Sequence, residues 1–155
     1  MKKKIYLPVL FFLYIFQGCS WQEYFIITNQ TSTDIIIEYE ITMPQTGFAI
    51  FDTHPSSYKL NSNNNIDWNE QADVLDQDTA AFTAKIVLAP KTALTIGHLS
   101  NDHYKGRDQY FINGRVFNLK RLKIQNDKTV IEISPENFDD HFSKKDGIIA
   151  LRVKK

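Results

Sequence analysis

Hydrophobic and polar positions alternate along most of this chain with a period of two, the mark of strands that bury one face. The clearest case lies at 34–43. Ile35, Ile37, Tyr39 and Ile41 fall on one side, and Glu38, Glu40 and Thr42 on the other, as in an antiparallel sheet with one wet face. Further apolar, β-rich runs occupy 24–28, 47–53, 82–88, 93–99 and 148–153. Asn113-Gly114 separates the runs 109–112 and 115–119, which predicts a hairpin with Phe111 and Phe117 flanking a tight turn. A second hairpin is expected from 122–124 and 129–133 around Asn126-Asp127, with a bulge where Arg121 and Leu122 upset the alternation. Ser134-Pro135 reads as a helix N-cap followed by proline, giving about two turns to Phe142. Lys144 to Gly147 then turns the chain into the last strand.

One segment breaks the pattern. Residues 54–78 hold His54-Pro55-Ser56-Ser57 and the run Asn61 to Asn65, and form the longest stretch without strand periodicity. Trp68, Ala72 and Leu75 recur at nearly helical spacing, so a short helix or wrapped loop is expected across 67–77. Such a loop needs an anchor. Trp68, backed by Val74 and Leu75, is expected to be largely buried at the sandwich edge, with Asp67, Glu70 and Asp73 pointing outward. Eight or nine short strands and frequent turns predict an all-β fold, an antiparallel β-sandwich (immunoglobulin-like or similar) with one or two short helices.

The first residues obey a different rule. Lys2, Lys3 and Lys4 precede an apolar run, Ile5 to Phe16, that stops at Gln17-Gly18-Cys19. At 12 residues this run is too short to span a bilayer, which needs roughly 18 or more, and the layout is that of a secretory signal peptide. Phe16 is too large for the small residue an ordinary signal-peptidase site wants three positions before the cut. A small residue directly before the only cysteine resembles instead the lipobox of bacterial lipoproteins, with Phe16 in place of the usual Leu. That resemblance implies a signal peptide at 1–18, acylation (palmitate among the chains) of Cys19 as the first mature residue, and a lipidated tether at 19–23. The β-domain then occupies 24–155. Ser20 after the cysteine implies export to the outer membrane of a two-membrane envelope. Trp21 is suited to the lipid headgroups, where amphipathic rings are favoured; Tyr24 and Phe25 read better as the start of the first strand. The mature part resembles the small β-sandwich envelope lipoproteins of unassigned role, by layout alone.

Composition narrows the class. The mature chain has no cysteine besides Cys19, so no internal disulfide forms, and core packing must supply the stability. Residues 19–80 carry ten acidic side chains and one lysine, Lys59, whereas 81–155 carry 14 basic and eight acidic ones. In a sandwich these halves interleave and the charges mix. The neutral total and the expected compartment disfavour nucleic acid as a partner.

The candidate chemistry is sparse. There is no Gly-x-Ser-x-Gly elbow and no phosphate-cradling glycine loop. Glu38 and Glu40 read as the solvated side of a strand rather than a glycosidase pair. His98, Asp102 and His103 are the candidates for a metal site, at a spacing that matches no established motif. The acidic run Asp67, Glu70, Asp73, Asp76 and Asp78 lacks the alternate-residue pattern and glycine of a Ca²⁺ loop. Lys120, Arg121 and Lys123 read first as the outer side of a strand. No cofactor is expected.

The expectation is therefore a non-catalytic, envelope-anchored lipoprotein, an accessory or binding subunit of a membrane-associated complex. Its partners are the membrane through the lipid anchor, and an envelope protein. The alternative is a surface glycan-binding module that uses Tyr58, Asp67, Trp68, Glu70 and Asp73 of the 54–78 loop. A third reading is a small metal-dependent hydrolase that uses His98, Asp102 and His103.

Overall fold

The computed structural model describes residues 20–73, 76–127 and 129–154. Six strands make the first sheet: β1 (Gln22–Asn29), β4 (Phe51–Leu60), β5 (Ile66–Gln71), β8 (Thr92–Ser100), β12 (Ser143–Lys145) and β13 (Ile148–Val153), in the order β12-β13-β1-β8-β4-β5. Five make the second: β2 (Ile35–Ile41), β6 (Asp76–Thr79), β7 (Thr83–Leu88), β10 (Leu119–Gln125) and β11 (Val130–Ile133), in the order β11-β10-β2-β7-β6. The short strands β3 (Phe48–Ala49) and β9 (Arg115–Val116) pair with each other in parallel. The fold is all-β and sandwich-like. Its two main sheets are antiparallel except at one pair: β1 runs parallel to β13 while pairing antiparallel with β8.

The alternation in β2 becomes an inside and an outside as its pattern requires. Ile35, Ile37, Tyr39 and Ile41 are buried, and the residues between them are half-exposed. They face Phe25, Ile27, Leu94 and Ile96 of the first sheet within one continuous core. At one end, that core becomes aromatic. Phe138 lies on a one-turn helix, α1 (Phe138–His141), and stacks on Phe142 at 4.1 Å between ring centres. Phe25, Phe51 and Phe117 pack around it. Ser134 does open this helical segment: its N–H donates to the Asn137 side chain at 2.8 Å, and Pro135 starts a 3-10 turn (Pro135–Asn137) that leads into α1. The segment is shorter than the two α-helical turns expected.

The β10–β11 hairpin forms as the sequence predicts, turning at Asn126 to Thr129. The bulge in β10 lies at Lys120, where it pairs with β2, one residue before the expected place. The Asn113-Gly114 hairpin does not form. Gly114 donates its N–H to the Phe111 carbonyl in a turn, with φ +64, but β9 then pairs with β3 instead of with 109–112. The tight hairpin is at Asp146-Gly147, where both residues have positive φ, 51 and 77, and join β12 to β13. Two positive φ values are what a two-residue turn matched to strand twist requires.

Residues 54–78 are not a loop excursion. β4 runs through His54 and Pro55 to Leu60 and forms a hairpin with β5, and β6 pairs with β7. No helix occurs at 67–71, where β5 is extended. Pro55, which has no N–H to donate, falls in the gap where β4 loses register with β8 between Phe51 and Ser56.

The eight residues of β1 span about 25 Å at some 3.3 Å per residue, and set the long axis of the sandwich. We call the end where β1 starts proximal and the other distal. β4, β7, β10 and β13 also start proximally, and β2 and β8 finish there.

Candidate functional site

The proximal end holds a linked group of ionisable side chains built around Glu23. In β1, Glu23 shares a phase with Phe25 and Ile27, so strand geometry turns its carboxylate to the buried side. There it is fully engaged. Oε1 lies 2.7 Å from His103 Nδ1 and accepts from Lys144 Nζ at 2.6 Å; Oε2 accepts the Tyr104 N–H at 2.8 Å. Burial alone would raise its pKa, but the bonds from His103, Lys144 and Tyr104, with the Lys144 charge, hold it below the ordinary carboxylate range. The network extends outward. The Tyr104 hydroxyl donates to Asp139 at 2.6 Å, and the other Asp139 oxygen accepts the Arg107 N–H at 3.2 Å. Burial and then the Asp139 carboxylate push the Tyr104 hydroxyl pKa up. This cluster fastens the 101–112 loop and β12 to β1. A carboxylate paired on both oxygens in this way serves as a clamp, not as an acid open to a substrate.

The expected trio His98, Asp102 and His103 is divided by this arrangement. Asp102 is buried, and its two oxygens accept the N–H groups of His103 and Ile112 at 2.8 and 2.9 Å, shaping the loop. His103 is engaged with Glu23 and stacks on Trp21, ring centres 5.1 Å apart. His98 is half-buried on β8, paired across the ladder with Tyr24. Among the described residues, no three His, Cys, Asp or Glu side chains group closely enough to hold a metal ion.

A second surface lies on the outer face of the six-stranded sheet. Trp68 packs against Tyr24 at 5.0 Å and Tyr58 at 5.1 Å between ring centres. Beneath these rings, Ile26, Leu60 and Ala93 form a small buried layer, with Ile66 and Ile148 at its margin. Trp68 is 42% exposed, which corrects the expectation of a largely buried anchor. The reason is topological: Trp68 sits on an edge strand whose outer face meets water, with no second layer above it. Glu70 is exposed and bridges Lys59 at 2.9 Å; Asp73 is exposed; Asp67 is half-buried and caps the Asn69 N–H at 3.0 Å. The proposed backing residues Val74 and Leu75 lie outside the described residues, as does Cys19. On this same face the hydroxyls of Thr28 and Thr95 are buried without a hydrogen-bond partner.

Sequence reading missed Glu23, assigning 19–23 to a tether. The available signal was phase: an acid at the alternate-residue position of Phe25 and Ile27 belongs to the core side of the same strand. In the structure, strand β1 already begins at Gln22, and Trp21 exchanges backbone and side-chain hydrogen bonds with Asn101. Among the described residues no helix is long and apolar enough to cross a membrane. No family model matches the chain, and no curated protein or solved structure is significantly similar to it.

Proposed function

We propose that this protein is a non-catalytic lipoprotein of the bacterial cell envelope, anchored in the outer membrane, that acts as an accessory or binding subunit of a membrane-associated complex. The observation that supports it best is the distance between the lipobox-like cysteine and the fold. Trp21 is fixed by the Asn101 N–H, which donates to its carbonyl at 3.0 Å, and by its own N–H to the Asn101 side chain at 3.2 Å. Only Ser20 separates Trp21 from Cys19, and two residues of extended chain reach at most about 7 Å. A lipid on Cys19 would hold the sandwich against the bilayer rather than on a flexible leash. Replacing Cys19 with Ala tests the reading. The mature domain should leave the membrane fraction, or the precursor should persist uncleaved; normal processing with full membrane retention would overturn it.

The ring trio supports a second reading, glycan binding on the outer sheet face. Sugar rings stack on exposed aromatic faces, and Tyr24, Tyr58 and Trp68 offer a platform with Lys59 and Glu70 beside it. Glycan-array binding that disappears in Trp68→Ala, with the denaturation midpoint kept, is the result this reading requires.

A further inference from the structure

We propose that the proximal end of the sandwich is a membrane-seating face, whose exposed apolar side chains enter the headgroup zone of the leaflet that carries the Cys19 lipid. This rests on the lipoprotein reading above. Large apolar side chains left in water are unevenly placed on the described residues. Trp21 precedes β1, Phe48 lies just before β4, Phe82 precedes β7, Met43 follows β2, and Tyr110 with Ile112 lie in the loop after β8; all six are exposed. Every one of those strand ends is proximal. The other two such side chains are Trp68 on the outer face and Val130, next to the distal β10–β11 turn. The distal end is otherwise polar: Thr31, Ser32, Thr33, Asn126, Thr129 and Lys154 line its shallow groove.

Trp21, Phe48 and the segment that carries Ile112 are also linked to one another. Trp21 is bonded to Asn101; the Asn113 side chain donates to the carbonyls of Ser100 and Asn101 at 3.0 and 3.3 Å; and the Phe48 N–H donates to Gly114 at 2.9 Å. Phe48, Ser100, Asn101, Asn113 and Arg115 line one shallow depression. The Arg115 guanidinium stands 5.7 Å from the centre of the Phe48 ring. Aromatic rings with a nearby cation are the side-chain set enriched where protein meets headgroups. An apolar patch of this kind on a soluble surface marks an interaction site. Its occupant follows from chain connectivity: the anchor position lies two residues from Trp21, so the first surface this end can reach is the bilayer itself. A single acyl chain binds marginally, since each buried methylene contributes only ~0.8 kcal/mol, and a second apolar contact adds to the hold.

The test uses the full lipidated protein, in a Trp21→Phe, Trp68→Phe background, reconstituted in phosphatidylethanolamine–phosphatidylglycerol vesicles with or without dibrominated phosphatidylcholine. A single reporter is added as Ile112→Trp, or as Val130→Trp at the opposite end; both side chains are exposed, so neither change disturbs the core. Several-fold stronger quenching of Ile112→Trp than of Val130→Trp is the expected result. Equal or negligible quenching of both, with lipid on Cys19 verified by mass, overturns the seating face and leaves the lipoprotein reading intact. A mature chain without lipid removes both. Photocrosslinks from position 112 to protein rather than lipid in intact membranes would also overturn the proposal, by assigning the face to a protein partner.

Discussion

Asn118 grips Phe51 by both backbone groups: its Oδ1 accepts the Phe51 N–H at 2.9 Å, and its Nδ2 donates to the Phe51 carbonyl at 3.0 Å. The same side chain accepts from the Ile50 N–H at 3.0 Å and donates to the Thr42 carbonyl at 3.1 Å. It thereby ties the end of β2 in one sheet to the start of β4 in the other, at a buried position where water cannot replace the bonds. Asn118→Ala strands the buried Phe51 N–H and leaves the Ile50 N–H with the Val116 carbonyl alone, and we expect a loss of about 1–3 kcal/mol, read as a lower urea midpoint at unchanged slope. An unaltered midpoint would mean that the grip contributes nothing net.

Glu23 makes stability depend on acid. Its native pKa lies below the unfolded value because the bonds from His103, Lys144 and Tyr104 outweigh the opposing effect of burial. The stabilisation is therefore fully present above the unfolded carboxylate value, 4.5, and fades as pH falls through the lower native one. Glu23→Gln should be less stable at neutral pH by about 1–3 kcal/mol. It should also lose less stability than the parent on going from pH ~6 to ~3. Parallel stability–pH curves for the two proteins would contradict the assignment.

Phe138 tests the aromatic core. It is fully buried on a helix of four residues, too short to hold itself together, so its packing is what fixes α1. Phe138→Ala should cost about 3–5 kcal/mol, and Phe138→Leu clearly less. Comparable losses for both would indicate that volume is not the limiting quantity.

At Gly97, β8 closely approaches the chain entering β4. A Cβ there would stand 2.4 Å from the Ile50 carbonyl oxygen and 3.1 Å from the Phe51 ring. That carbonyl accepts the His98 N–H, so it cannot retreat freely. Gly97→Ala should destabilise by about 1–3 kcal/mol despite the small change in volume. Thermal unfolding at the parent temperature would count against the close approach.

These sites also mark how far the sequence could be read. Local pattern sufficed for β2, β13 and the β10–β11 hairpin, because one buried face and a nearby partner leave a period of two on the chain. The strands within 54–78, where the pattern predicts a loop with a short helix or wrapped turn, are hidden for an equally physical reason. β5 is an edge strand wet on most sides, so Ile66 and Trp68 stand alone among polar residues, and Pro55 hid β4. Asn113-Gly114 and Asp146-Gly147 carry the same local turn chemistry, but only the second has two strands free to pair across it. The roles of Asn118 and Glu23 depend on partners 67 and 81 residues away, and nothing in their own neighbourhoods announces a side chain committed to another strand's backbone. Of the expected binding residues, Tyr58 and Trp68 do meet, as an open platform rather than a buried plug.

The position of β1 has a mechanical consequence. It is bonded along its length to β8 on one side and, in parallel, to β13 on the other. A pull on the chain at Trp21 therefore acts along the strand and loads both ladders together. Those bonds must slide and fail in concert, rather than open one at a time as they would at a peeling edge. β12, at the rim, could be stripped from its single neighbour in sequence; β1 cannot. A drag force delivered through the N-terminus would meet first a strand held on both sides.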